Sequence, residues 1–226
     1  LYSKMNISGC LFDMDGVIVD TAKHHYVAWK SLADELSIPF TEVENESLKG
    51  LSRLDSLECI LRLGNLEVSS NTKIELMEKK NQLYLQIIGS MGPDDILPGV
   101  KELMLELRNE GVGICLGSSS KNASSILKSI GIFDLFDGIV DGNNLTLSKP
   151  DPEVFIKGSK ILGLTPSSCI VFEDAESGIE AALSGGFFAL GIGKEGSLKR
   201  AHANVQDLAH LTFEKLQALV DSHESN

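Results

Sequence analysis

Short runs of branched and aromatic residues alternate along this chain with segments in which apolar side chains return every three or four positions. The runs at residues 9–12, 112–116, 169–172 and 187–192 have the length of buried strands. Helical spacing appears at Val100, Leu103, Met104 and Leu107, at Ile126, Leu127 and Ile130, and at Ile179, Ala182 and Leu183. Strands alternating with helices predict an α/β fold in which helices flank both faces of a Rossmann-like parallel sheet.

About 100 residues separate the first two runs, whereas one crossover helix needs only about a dozen. Apolar spacing within that stretch is helical at Trp29, Leu32, Ala33 and Leu36, at Leu54, Leu57 and Leu61, and at Ile74, Met77, Leu85 and Ile88. The pattern predicts an inserted α-helical cap domain at residues 21–91 and an α/β core domain built from residues 1–20 and 92–226. The segment 89–98, punctuated by Gly89, Gly92, Pro93 and Pro98, reads as a hinge. A last helix is expected after Thr212 as its N-cap, through Phe213, Leu216, Leu219 and Val220. Leu1 to Lys4, ahead of Met5, are expected to be foreign to the natural protein and are set aside.

Composition changes this picture little. Of the 226 residues, 42% are hydrophobic and 23% charged, as in ordinary globular proteins, and no repeat or low-complexity tract interrupts them. No stretch reaches the roughly 18 apolar residues of a spanning helix, and no basic segment leads into an apolar run at the start, so a cytoplasmic protein is expected. Cys10, Cys115 and Cys169 sit in apolar runs and Cys59 in a helical segment, without C-x-x-C spacing, which suits reduced thiols. Charge matters more. A net charge of -12 argues against nucleic acid or an anionic membrane as partner. A phosphate ester would need local cations set against that field.

Ligands of an open parallel sheet bind beyond the carboxyl ends of its strands. The first run is followed by Asp13 and Asp15, the second by Ser118, Ser119, Ser120 and Lys121, and the third by Glu173 and Asp174. Carboxylates, hydroxyls and an ammonium converging on one edge suit an anion together with a hard metal. Oxygen ligands without histidine or thiolate point to Mg²⁺. Asp13 and Asp174 would ligate it through carboxylates, Asp15 through its backbone carbonyl, and Glu173 directly or from behind.

Asp13 and Asp15, two residues apart on a strand, would face the same side. Asp13 is then the nucleophile that forms an aspartyl-phosphate, and Asp15 the acid/base. Ser118 would donate to the phosphate and Lys149 supply fixed positive charge for a loose, metaphosphate-like transition state. Pro150 and Pro152 suit a helix start that would hold Lys149 toward the site. Each feature has a plainer reading by itself: turn carboxylates, capping serines, or acidic residues opening a helix. Their joint placement at strand ends favours the catalytic one.

In this order Asp13-Met14-Asp15-Gly16-Val17, Ser118, Lys149 and Glu173-Asp174 resemble the signature of the haloacid dehalogenase (HAD) superfamily over nearly the whole chain. Further similarity is to its β-phosphoglucomutase-like subfamily. It is carried by Asp20-Thr21-Ala22, His25, Trp29, Lys49-Gly50-Leu51-Ser52-Arg53, Lys80-Asn81, Ser118-Ser119-Ser120-Lys121-Asn122 and Ser148-Lys149-Pro150.

The resemblance implies a Mg²⁺-dependent phosphomutase that interconverts β-glucose 1-phosphate and glucose 6-phosphate through a bisphosphate that turns between two half-reactions. Arg53 would grip the distal phosphate bidentately. Lys49, Gly50, Leu51 and Ser52 would line the sugar, with Trp29 and Lys80 on the cap side and Ser120, Lys121 and Asn122 on the core side. Thr21 and His25 would link binding to cap closure and to the posture of Asp15. The partner implied is a small-molecule sugar phosphate, with the protein a monomer. Ser119 and Asp151 stand where the subfamily leads one to expect small apolar residues. A phosphatase of the same superfamily is the nearest rival, since only the cap separates transfer to sugar from transfer to water. A phospho-receiver module would need neither the insertion nor Asp15, and a non-catalytic sugar-phosphate binder would not need Asp15.

Overall fold

Gly9–Phe12 (β1) is a four-residue run with every residue buried, and it can be so because strands flank both of its edges. In the computed structural model, which describes residues 5–194 and 196–224, β1 lies between Gly113–Gly117 (β2) and Cys169–Glu173 (β4). The sheet is completed by Gly138–Val140 (β3), Phe188–Ile192 (β5) and Ala203–Val205 (β6). Its order is β3-β2-β1-β4-β5-β6, all pairs parallel. The two three-residue strands, β3 and β6, were not legible as runs, because three residues carry no periodicity. The expectation for Leu1 to Lys4 lies outside the described residues.

Burial on both faces explains why the central strands read as continuous apolar runs. On one face Cys10, Phe12, Ile114, Leu116, Ile170 and Phe172 form a single core with the helices Val100–Asn109 (α5), Ala123–Ser129 (α6) and Phe213–Glu224 (α9). Phe12 and Phe172 stack there, 4.3 Å between ring centres. On the other face Leu11, Cys115, Val171 and Ala189 meet Glu153–Leu162 (α7) and Glu176–Ser184 (α8). Thr212 caps α9 as expected, its Oγ1 accepting from the Lys215 N–H at 3.3 Å. All four cysteines are free.

Between β1 and α5 the chain forms Ala22–Glu35 (α1), Glu42–Glu46 (α2), Arg53–Leu63 (α3) and Ser70–Ile88 (α4). Trp29, Leu32, Leu57, Ile60 and Leu61 give these helices a core of their own. Helix α2 has no apolar stripe and was missed; it is set by a capping box between Thr41 and Glu44. The outgoing and returning chains are tied together, since Val19 bridges Ile96 and Leu97 N–H donates to Ile18 O at 2.8 Å. That tie sits at the base of the insertion, a few residues from Asp15. Among the described residues no helix is long and apolar enough to cross a membrane.

Candidate active site

The carboxyl ends of β1, β2 and β4 bring the predicted core residues together. Asp13 follows β1 and donates its N–H to Phe172 O on β4 at 3.0 Å. Lys149 Nζ donates to Asp13 Oδ1 and to Glu173 Oε1, both at 2.6 Å, and its side chain has no exposed surface. Glu173 is held further by Ala175 N–H, which donates to Oε2 at 2.9 Å. A Cβ at Gly178, on α8, would come within 1.8 Å of Glu173 Oε1, so only glycine lets that helix approach the carboxylate. Fully buried Ser118 accepts from Ser120 N–H at 3.1 Å, which leaves its own O–H proton to be donated to a ligand.

Charge is crowded at this edge. Asp13, Glu173 and Asp174 offer oxygens that lie within 4.8 Å of one another. Burial first, and then the negative charge of neighbours including Asp13, pushes Glu173 up to about 8 and Asp174 up to about 6. Asp15 is pushed well above the usual carboxylate range by burial and by Asp13 and Asp174, and its Oδ1 is buried without a hydrogen-bond partner. Burial alone would lower Lys149, but the combined pull of Asp13 and Glu173 wins and holds its ammonium above the ordinary lysine range. Three carboxylates whose oxygens crowd so closely, with oxygen donors only, fit a hard divalent cation.

The helical insertion closes over this edge and leaves a cavity of about 620 Å³. Asp13, Asp15 and Asp174 lie on its core side, with Ser120, Lys121 and Asn122, while His25, Trp29, Lys49, Arg53 and Lys80 face it from the insertion together with Gly50, Leu51 and Ser52. Arg53 donates to Asn81 Oδ1 at 2.8 Å, and Asn122 Nδ2 donates to the same oxygen at 3.0 Å. Lys49 Nζ is 3.2 Å from Asp174 Oδ2. Lys80 lies over the rings of Trp29 and Tyr84 and 2.8 Å from His25 Nδ1, which accepts its hydrogen bond when the imidazole is neutral. Burial and the Lys80 charge hold His25 well below its ordinary range, in keeping with that role.

With this geometry in view, the model of the haloacid dehalogenase-like hydrolase family matches residues 7–186. The chain belongs to that family. It is 44% identical to a β-phosphoglucomutase of Bacillus subtilis over 208 residues, 91% of this chain and 92% of the relative. The crystal structure of a β-phosphoglucomutase from Clostridium difficile, 39% identical, superposes with a TM-score of 0.94 over 97% of this chain and all of that one. A phosphatase of phosphorylated carbohydrates from Thermotoga maritima is 27% identical over 78% of this chain and 80% of its own.

For a haloacid dehalogenase-family chain the sequence located the core edge well and the details less so. β1 ends at Phe12, so Asp13 and Asp15 do not alternate along a strand; Gly16, at φ 83°, turns the chain there and the loop itself keeps Asp15 close to Asp13. Lys149 lies ahead of α7, held by two carboxylates more than by the helix start. Asp151 turns away from it, its Oδ1 accepting from Glu153 N–H at 2.9 Å. Thr21 is fully buried, its hydroxyl beside that of Tyr84, and it is not among the cavity-lining residues. Of the residues that tie the insertion to the core, Asn81 and Ser148 were marked only through the resemblance, and Asp55 and Ser177 carried no signal that marked them.

Proposed function

We propose that this protein is a β-phosphoglucomutase, with residues 21–91 acting as the cap. The observation that carries the reading is a second cationic group, Arg53 with Lys80, lining the same cavity as Asp13, while Lys49 lies beside Asp174 at the core edge. A phosphate at each end of one sugar would thus find an anion site at each end of the cavity, and the 44% identity to a relative of that name supports the same conclusion.

In the first half-reaction Asp13 attacks one phosphorus of the bound bisphosphate, the bond from that phosphorus to the sugar oxygen breaks, and Asp15 gives that oxygen its proton, leaving a sugar monophosphate and phosphorylated Asp13. In the second, the free hydroxyl of an incoming β-glucose 1-phosphate loses its proton to Asp15 and attacks the aspartyl-phosphate, which restores Asp13 and re-forms the bisphosphate, and the bisphosphate turns before the next transfer. Ser118 donates to the transferring group, and Lys149 neutralises charge on Asp13 and on that group. Mg²⁺ held by Asp13, Glu173, Asp174 and the Asp15 carbonyl would neutralise phosphoryl charge. Arg53 holds the distal phosphate, with Lys121, Ser120 and Asn122 opposite. His25 and Thr21, at the start of the cap's first helix, would link binding to cap closure and to the posture of Asp15.

The direct test measures glucose 6-phosphate formed from β-glucose 1-phosphate with a trace of bisphosphate, beside phosphate released from a panel of sugar phosphates. Release that outruns mutase flux would make the protein a phosphatase. Arg53→Ala should lower mutase flux by about 10- to 100-fold, the loss of a charged hydrogen-bonding partner, and spare hydrolysis of a small phosphate ester. Equal losses in both assays would argue against a distal phosphate site.

Burial, and next the Arg53 charge, push Lys80 down to about 7, partly opposed by Asp15. Below that pH its ammonium is present to attract substrate, and above it the charge is lost. A sugar phosphate, with its second ionisation near about pH 6, stays dianionic over the higher range. KM should therefore rise on the order of tenfold from about pH 7 to about pH 9, and Lys80→Arg should flatten that rise. A flat wild-type profile would show that Lys80 does not titrate against substrate.

A further inference from the structure

Three serine hydroxyls from three separate parts of the core grip one short stretch of the insertion. Ser119, after β2, donates to Gly50 O at 2.8 Å; Ser177, on α8, donates to Lys49 O at 2.9 Å; Ser148 donates to Asp55 Oδ2 at 2.5 Å. Asp55 is itself fixed by Ser52, whose Oγ donates to the same oxygen at 2.6 Å and accepts from Asp55 N–H at 3.2 Å. Gly50 is left-handed, φ 76°, and a Cβ there would stand 2.4 Å from Ser177 Oγ, so the close approach depends on glycine. Each serine is next to, or three residues from, a core group of the site: Ser118, Lys149 and Asp174.

We propose that Ser119, Ser148 and Ser177 are positioning residues that latch the 49–55 segment onto the core, and that the latch makes sugar instead of water the acceptor of the phosphoryl group. The inference rests on the mutase reading. Its physical basis is that substrate must enter between insertion and core, so contacts across that seam set how long the cavity stays shut. Serine hydroxyls suit a reversible latch, because each finds water as a substitute partner when the seam opens and each contributes only modestly when it is closed. Backbone carbonyls of Lys49 and Gly50 are gripped, so the latch itself takes up neither the Lys49 nor the Arg53 side chain. Among the described residues, the other two side-chain hydrogen bonds across the seam, Lys49 to Asp174 and Asn122 to Asn81, use groups that substrate itself would engage.

The test compares the wild type with Ser119→Ala, Ser177→Ala and the triple variant carrying Ser148→Ala as well. One measurement is amide hydrogen exchange over residues 49–55; the other is the ratio of phosphate released to glucose 6-phosphate formed. Loss of three ordinary hydrogen bonds should shift the closed state by about 10- to 100-fold. Exchange in that segment should accelerate on that scale, the release-to-transfer ratio should rise at least about tenfold, and Ser119→Thr, which keeps the hydroxyl, should restore part of both relative to Ser119→Ala. Unchanged exchange would overturn the latch. Faster exchange with an unchanged ratio would overturn its role in acceptor choice. If the wild type made no glucose 6-phosphate the mutase reading would fall, while the exchange measurement would still decide the latch.

Discussion

Asp13→Asn is expected to abolish transfer to sugar and to water alike, by roughly 10⁴-fold or more, because an amide oxygen neither attacks phosphorus nor leaves as a carboxylate. The loss should come without unfolding. Asp13 is one of the negative charges that raise Asp15, Glu173 and Asp174, so its neutralisation relieves repulsion inside a buried cluster. Lys149 would still hold Glu173 at 2.6 Å. Thermal denaturation should therefore show a melting temperature equal to or above that of the wild type. Mass spectrometry after incubation with bisphosphate should find a phosphoryl group on the wild-type peptide containing residue 13 and none on the variant. Appreciable turnover by the variant would remove Asp13 from the nucleophile's role.

The parts of the site legible from sequence are those fixed by strand ends. Parallel strands buried on both faces stand out as apolar runs, and a run that stops at Asp13, Ser118 or Glu173 marks the edge where side chains meet a ligand. Groups that lie far apart in sequence and meet only through the tertiary arrangement were out of reach. His25 and Lys80 are separated by 55 positions yet hydrogen-bonded. Arg53, Asn81 and Asn122 come from two helices of the insertion and a core loop, and share one amide oxygen. Ser119 looked like a departure from the subfamily's pattern and gained its meaning only from Gly50 lying opposite. The edge strands β3 and β6 escaped for a different reason, being too short to show any period.

Asp15→Asn should divide substrates by their leaving groups. Asp15 is half-buried with its Oδ1 shut away from solvent, and desolvation together with Asp13 and Asp174 favours its neutral form, so it enters the reaction able to give a proton to a departing sugar oxygen. A sugar alkoxide cannot leave without that proton, whereas the leaving group of an acyl phosphate or an activated aryl phosphate can. Turnover of glucose phosphates by Asp15→Asn should fall by about 10²- to 10⁴-fold, the usual contribution of a positioned acid/base, with phosphorylation of Asp13 by an acyl phosphate reduced far less. The phosphoenzyme so formed should also persist longer, because the same side chain has to take the proton from the attacking hydroxyl. Single-turnover rates with the two kinds of donor, followed by decay of the phosphoenzyme with and without glucose 6-phosphate, separate these steps. An equal loss with both donors would mean that Asp15 shapes the site around Asp13 instead of moving a proton.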